Sequence, residues 1–185
     1  MDGILRKLPI GIQTFEKLRE GDYLYVDKTA LVWRIASTET PYFLSRPRRF
    51  GKSLLLSTFE AYFEGKKELF DGLAIADMEK EWKKYPVLHL DLNAEKYDSP
   101  QALVEILSRQ LTQWELKYGK GEDEETLSGR FAGVIRRACE QSGRGVVVLV
   151  DEYDKPLLQA LDDGALLDDL SLIHISEPTR LRRIS

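Results

Sequence analysis

The sequence predicts an α/β domain with a doubly wound, mostly parallel sheet flanked by helices. Two observations lead to this fold class. Segments typical of strands alternate along the chain with segments in which apolar residues recur at helical spacing. In addition, the run 145–150 is continuously apolar after its glycine and rich in valine, which is typical of a strand buried on both faces of a parallel sheet.

The predicted elements are, in chain order, a helix over 12–20, an extended patch over 23–26, a helix over 28–37, a strand over 41–45, a helix over 52–63, charged helical pieces over 64–84, a strand over 86–92, helices over 100–119 and 122–143, and a strand over 145–150. Asp27 can cap the second helix, Pro100 stands at a first helical position, and Gly143 ends the last helix.

Apolar residues at helical spacing identify the side of each helix that is expected to face inward. In the first three helices these residues are Phe15 and Leu18, then Leu31, Val32 and Ile35, then Leu55, Leu56, Phe59, Tyr62 and Phe63. In the two later helices they are Leu103, Leu107, Leu111 and Trp114, then Leu127, Phe131, Val134, Ile135 and Ala138.

Composition limits the classes of protein. The 185 residues carry a formal charge of −4 and are 43% hydrophobic, which is enough for one compact core and gives no whole-molecule case for nucleic-acid binding. No apolar run approaches the roughly 18–20 residues of a membrane span, and no signal-peptide pattern follows the N-terminus. The single Cys139, expected as a small buried hydrophobe, excludes an internal disulfide. These features favour a cytoplasmic protein with no membrane partner.

The stretch between the strand over 41–45 and the helix over 52–63 has the pattern of a phosphate-binding loop. It consists of Arg46, Pro47, Arg48, Arg49, Phe50, Gly51, Lys52 and Ser53. Glycine lets the backbone fold around an anion, the helix N-terminus directs N–H groups at phosphates, lysine neutralises them, and serine can ligate Mg²⁺. The full pattern has a glycine at position 46, where this chain has arginine.

The second half of a nucleotide site is predicted at the end of the strand over 145–150. Asp151 and Glu152 follow that strand directly. An acidic residue at the carboxyl end of a buried parallel strand can hold Mg²⁺ through water, and a second carboxylate beside it can polarise an attacking water. The alternative is a solvated strand end, with Lys52 as an ordinary lysine at a helix start.

Four stretches together resemble a bacterial family. They read Leu-Pro-Ile-Gly-Ile-Gln at 8–13, Tyr-Val-Asp-Lys-Thr at 25–29, Ser-Arg-Pro-Arg-Arg-Phe-Gly-Lys-Ser at 45–53 and Val-Asp-Glu-Tyr-Asp-Lys-Pro at 150–156. The chain is similar over nearly all its length to the AAA-ATPase-like domain that is often followed by a PD-(D/E)xK-type nuclease domain. The resemblance implies a P-loop NTPase-like fold with a strand inserted between the two nucleotide-binding strands. It also implies ATP and Mg²⁺ as cofactors, with arginine and proline in place of the first loop glycine.

The resemblance and the motifs together give the candidate roles. Gly51 would admit the β-phosphate, Lys52 would contact the β- and γ-phosphates, and Ser53 would ligate Mg²⁺. Asp151 would support Mg²⁺ through water, and Glu152 would orient or deprotonate the attacking water.

For several neighbouring residues, the sequence leaves two possible roles open. Arg48 and Arg49 either reach phosphate or a neighbouring subunit, or are solvated loop residues. Tyr25, Asp27 and Lys28 either contact adenine or form a helix cap with core aromatics. Asp91, at the end of a strand, is either a helix cap or part of a metal site.

The C-terminal stretch 170–185 is interpreted as a non-native tail. Residues 170–180 match, one for one, a reading-frame translation of a common transposase-type sequencing adapter, and such a segment is excluded from fold reasoning. We therefore expect a helical and extended lead-in over 1–40, a P-loop ATPase core over 41–169 and the tail. His174 falls in the tail, which leaves His89 as a strand side chain and excludes a His-based triad.

An interruption near residue 169 would leave the sheet incomplete at its C-terminus. The inserted central strand would then be missing, so residues 1–185 alone are not expected to be a competent ATPase. In the complete protein, ATP would be coupled to a C-terminal nuclease-like domain, and through it to DNA, with a homo-oligomer as a further partner. The alternatives are a nucleotide-dependent switch or scaffold with little turnover, and an interaction domain with a vestigial site.

Overall fold

The computed structural model describes residues 6–38, 40–45, 50–92, 100–152 and 183–184. The chain divides into two compact units, of which the first comprises Met1–Glu39 and Leu44–Tyr85 and the second comprises Thr40–Phe43 and Pro86–Ser185. Helices and a small parallel sheet make up the described residues, which confirms the predicted α/β class.

Short helices form the first unit. They are α1 (Phe15–Glu20), α2 (Thr29–Ala36), α3 (Lys52–Phe63), a 3-10 helix (Lys67–Phe70) and α4 (Ala74–Met78). The first three confirm the helices predicted over 12–20, 28–37 and 52–63, although α1 begins three residues later than predicted. The 3-10 helix and α4 correspond to the charged helical pieces predicted over 64–84.

Aromatic side chains form the core of the first unit. The fully buried ring of Phe15 lies 4.8 Å from the ring of Phe70 and 5.3 Å from that of Tyr25, measured between centroids. Phe59 and Phe63 of α3 are also buried, so the second half of α3 is held by the core. Such rings bury large apolar areas and favour the tilted and edge-on contacts seen here.

The prediction that Leu31 of α2 faces inward is wrong. Leu31 is 52% exposed, whereas the adjacent Val32 is 1% exposed. One residue along a helix turns the side chain by about 100°. The face that α2 packs against α3 and α4 is therefore narrower than the apolar arc of its sequence.

The second unit contains the sheet. Its elements are β1 (Val87–Asp91), α5 (Pro100–Tyr118), α6 (Leu127–Ser142), β2 (Val146–Asp151) and β3 (Arg183–Ile184). β1 and β2 are parallel, with Val87 opposite Val147 and Asp91 opposite Asp151. The two residues of β3, which belong to the predicted tail, pair antiparallel with the start of β2.

Local signals set the ends of the two long helices, although α6 begins at Leu127, five residues later than the start predicted at 122. α5 begins at Pro100. At the start of α6, Thr126 Oγ1 accepts a hydrogen bond of 3.1 Å from Gly129 N. Gly143 follows α6 with a φ of 63°, a left-handed conformation that glycine adopts without the steric cost of a Cβ.

The core that packs against α5 and α6 lies on one face of the sheet, and Val147 and Leu149 are buried on the other face. Leu88, Leu90 and Leu92 belong to one cluster with the inward residues of both helices. These are Leu103, Leu107, Leu111, Trp114, Val134 and Ala138, as predicted from helical spacing, with Leu127, Phe131, Ile135 and Cys139 packed against them.

The strand predicted over 41–45 is wrong. The structure describes these residues and assigns no strand to them. All five side chains are at least partly exposed, whereas a central strand of a parallel sheet is covered on both faces. The central strand expected after Glu152 falls on 153–182, which lie outside the described residues.

Candidate functional site

The phosphate-binding half of the predicted site lies at the start of α3. Gly51 is the N-cap of this twelve-residue helix and has a φ of 76°. A Cβ at position 51 would meet none of the described atoms within 4 Å, and it is the left-handed backbone conformation that favours glycine here. Lys52 and Ser53 follow as the first two helical residues, both half-buried.

The N-terminus of α3 has the chemistry of an anion site. The first N–H groups of an α-helix have no partner within the helix, and the N-cap Gly51 has no side chain to satisfy them. The helix dipole adds a partial positive charge at the same end. The loop residues Arg46, Pro47, Arg48 and Arg49 lie outside the described residues.

A hydrogen bond that the sequence did not reveal anchors α3. The hydroxyl of Ser57 accepts a hydrogen bond of 2.8 Å from Phe15 N and donates one of 2.9 Å to Leu54 O. Ser57 therefore joins the start of α1 to α3, across 42 residues of sequence. No local pattern marks such a bond, because a serine inside a helix usually faces solvent.

The acidic half of the predicted site lies at the end of β2. Asp151 is the last residue of the strand and is 7% exposed. Its backbone oxygen accepts a hydrogen bond of 3.1 Å from Leu92 N, which continues the ladder one residue beyond β1. Its Oδ1 accepts one of 2.9 Å from Glu152 N.

Glu152 departs from the strand conformation. Its φ of 55° is left-handed, which costs a residue with a Cβ roughly 1–2 kcal/mol. In a continued strand Glu152 would share a face with Val150, which packs on the α5–α6 core. The left-handed turn ends that alternation. Strain of this kind is concentrated at functional sites.

Asp27 caps two helices. Its Oδ1 accepts hydrogen bonds from Thr29 N at 2.8 Å and from Thr29 Oγ1 at 2.7 Å, and its Oδ2 accepts one of 2.7 Å from Ala74 N at the start of α4. Burial tends to raise the pKa of Asp27, but the hydrogen bonds from Ala74 and Thr29 hold that pKa below its ordinary value. Asp27 therefore serves as the helix cap that was one of the two predicted alternatives.

Tyr25 is placed as a core aromatic. Its ring meets Phe15 edge-on, and burial raises the pKa of its hydroxyl, which is hydrogen-bonded to Thr58. The geometry of Tyr25 thus also matches the cap-and-core alternative.

The available donors suit Mg²⁺. The hydroxyl of Ser53 in the first unit and the carboxylate of Asp151 in the second each offer oxygen, the donor that Mg²⁺ prefers. No group of three or more histidine, cysteine, aspartate or glutamate side chains converges within the described ranges. Because Mg²⁺ in nucleotide sites takes as few as one or two protein ligands together with phosphate and water, the chemistry of each of these oxygens fits the ion. None of the described helices combines the length and hydropathy of a membrane span.

Comparison with known proteins decides the family. A sequence profile of the AAA-ATPase-like family, described as "Predicted AAA-ATPase", matches residues 9–174. The chain belongs to this family. The chain is also 45% identical over 157 residues to the "Uncharacterized protein in vnfD 5'region" of Azotobacter chroococcum mcd 1. That match covers 84% of this chain and 30% of the relative's length. No solved structure matches the chain.

Proposed function

We propose that this AAA-ATPase-like chain binds ATP with Mg²⁺ and that the full-length protein hydrolyses it. The left-handed Gly51 at the start of α3, followed by Lys52 and Ser53, is the observation that carries the proposal. Phosphate oxygens would receive hydrogen bonds from the first N–H groups of α3 and charge compensation from Lys52. Phe50 and the loop over 46–49 complete the proposed phosphate cradle.

The acidic half supplies the hydrolytic part of the proposal. Mg²⁺, when bound, would neutralise charge on the phosphates, with Ser53 as a direct ligand and Asp151 acting through water. Glu152 would accept a proton from the water that attacks the γ-phosphorus, and ADP and phosphate would leave. Gly51 and Asp151 belong to different compact units.

A longer protein is the setting in which turnover would have a use. The relative extends well beyond the matched segment, since the match covers 30% of its length. We propose that ATP is coupled there to a C-terminal nuclease-like or other DNA-directed domain, as the family resemblance implies.

Two variants of the full-length protein test these roles. Lys52→Ala should abolish ATP binding, because it removes the positive charge on the phosphates. Glu152→Gln should bind ATP normally and hydrolyse it at least ~10²-fold more slowly, the scale of a positioned base. Nucleotide titration and phosphate release measure the two effects.

The results separate the alternatives. Equal loss of ATP binding in both variants would contradict the division of roles. If the wild-type protein binds ATP and Glu152→Gln leaves an already negligible turnover unchanged, the protein is a nucleotide-dependent switch. If the wild-type protein does not bind ATP, the proposal is wrong.

A further inference from the structure

Asp91 and Asp151 lie side by side at one edge of the sheet. They are opposite each other in the parallel register of β1 and β2, and the bond of 3.1 Å from Leu92 N to Asp151 O fixes that register. Neighbouring strands lie about 4.8 Å apart, and residues in register have their side chains on the same face. Both aspartates are the last residues of their strands.

The helix packing identifies that face. Leu90 and Leu92, on either side of Asp91, are buried in the cluster with α5 and α6. Because side chains alternate along a strand, Asp91 belongs to the opposite face of the sheet. Val150, which precedes Asp151, packs against the same cluster, so Asp151 also belongs to the opposite face.

Few interactions of the described residues compensate the buried charge of Asp151. It is 7% exposed, and within the described part of the chain it takes part in no ion pair and in one side-chain hydrogen bond, the bond from Glu152 N. A buried charge is costly unless it is paired or bound to a metal. A second carboxylate directly opposite adds repulsion. A cation bound at this edge would offset both costs.

The two aspartates differ in exposure. Asp151 is nearly buried, whereas Asp91 is exposed to solvent. Mg²⁺ releases its water reluctantly and usually keeps several waters when bound by proteins. An exposed carboxylate beside a buried one is suited to accept hydrogen bonds from those waters.

We propose that Asp91 is a positioning residue for the hydrated Mg²⁺ that accompanies the nucleotide. Asp151 holds the ion from its buried side and Asp91 orients a bound water from the solvent side. This inference rests on the proposed nucleotide binding, and it adds Asp91 to the residues that determine cation affinity. Its signature is a change in the Mg²⁺ requirement and not in the affinity for metal-free ATP.

The test is a titration of fluorescent ATP against the full-length protein, at varied Mg²⁺ and in EDTA. In Asp91→Asn, the Mg²⁺ concentration for half-maximal binding should rise about tenfold, the low end of the effect of outer-shell partners on metal affinity. Binding in EDTA should stay at the wild-type level. Asp91→Glu, which keeps the charge, should lie close to wild type.

Asp123→Asn is the matched control, because it also removes an exposed carboxylate of the second unit but lies in the α5–α6 loop. Its Mg²⁺ requirement should not change. Asp91→Ser is a second charge-free variant, and either it or Asp91→Asn is decisive once thermal unfolding shows that it is folded.

The outcomes are distinguishable. Saturable ATP binding with an unchanged Mg²⁺ requirement in a charge-free variant would overturn the role of Asp91 alone. Equal weakening with Mg²⁺ and in EDTA would assign Asp91 a structural role and overturn the inference. A wild-type protein without saturable ATP binding would overturn the proposed function together with this inference.

Discussion

Replacing Asp27 tests whether one carboxylate holds two helices. Asp27 Oδ1 caps α2 through Thr29 N, and Oδ2 caps α4 through Ala74 N. Loss of one N-cap costs about 1 kcal/mol, within a range of ~0.5–2. Asp27→Ala removes both caps and should cost about 2 kcal/mol. Asp27→Asn keeps one acceptor oxygen and should cost about half as much.

Urea unfolding measures both variants, with equal m-values as the condition for comparing midpoints. For a chain of this size, about 2 kcal/mol should lower the Tm by roughly 4–8 °C. Asp71→Asn is the matched control, since Asp71 is an exposed aspartate of the same unit whose carboxylate makes no hydrogen bond in the described residues. If Asp27→Ala and Asp27→Asn are equally destabilised, or neither differs from the control, the double cap is wrong.

Acid should weaken the hydrogen bonds that the Asp27 carboxylate accepts from α2 and α4. The pKa of Asp27 is lowered in the folded protein. Its contribution to stability is therefore present above its unfolded pKa of about 3.9 and is lost as the pH falls through the lower folded value. Because the side chain is exposed, solvent screening keeps this pH-dependent part small. The difference in stability between wild type and Asp27→Asn should accordingly narrow below about pH 4.

Three further predictions concern backbone conformation and buried charge. Gly51→Ala and Gly72→Ala place a Cβ at φ values of 76° and 73° in open space, so each should cost roughly 1–2 kcal/mol in thermal unfolding. Only Gly51→Ala should also weaken ATP binding, and equal titration curves would contradict the phosphate loop. Arg130→Gln leaves Glu115, which is 8% exposed, without the guanidinium 2.7 Å away, and should cost about 3–5 kcal/mol in urea unfolding. Arg136→Gln, at a 66% exposed side chain, should cost less than about 1 kcal/mol, and a similar loss in both would refute the distinction. Because the hydrogen bond from Arg130 lowers the pKa of Glu115, the penalty of Arg130→Gln should shrink as the pH falls below about 4.3. If the pair were unimportant, the unfolding free energies of wild type and variant plotted against pH would run parallel.

Local sequence signals predicted most helices and two strands. Pro100 and Gly143 mark helix ends because their backbone preferences depend on the residue itself. The valine-rich run of β2 is apolar enough to identify a buried strand without knowledge of its neighbours. The strand prediction over 41–45 was wrong because a short apolar run does not specify a pairing partner, and strand formation depends on one.

Part of the candidate site was also accessible from sequence. Gly51, Lys52 and Ser53 are contiguous, and α3 begins where the motif predicts. Asp151 and Glu152 likewise end the predicted strand. The left-handed turn at Glu152 could not be predicted, because that conformation is unfavourable for glutamate and persists only when surrounding structure imposes it.

The sequence by itself determined which segments are helical, where β2 ends and that Gly51, Lys52 and Ser53 open α3, since each depends on neighbours in the chain. Tertiary structure alone decided the contacts between distant segments. Asp27 reaches Ala74 across 47 residues, and Ser57 reaches Phe15 across 42. It also placed Asp91 beside Asp151, because the register of two strands is set by the ladder and by the apolar face that packs on α5 and α6.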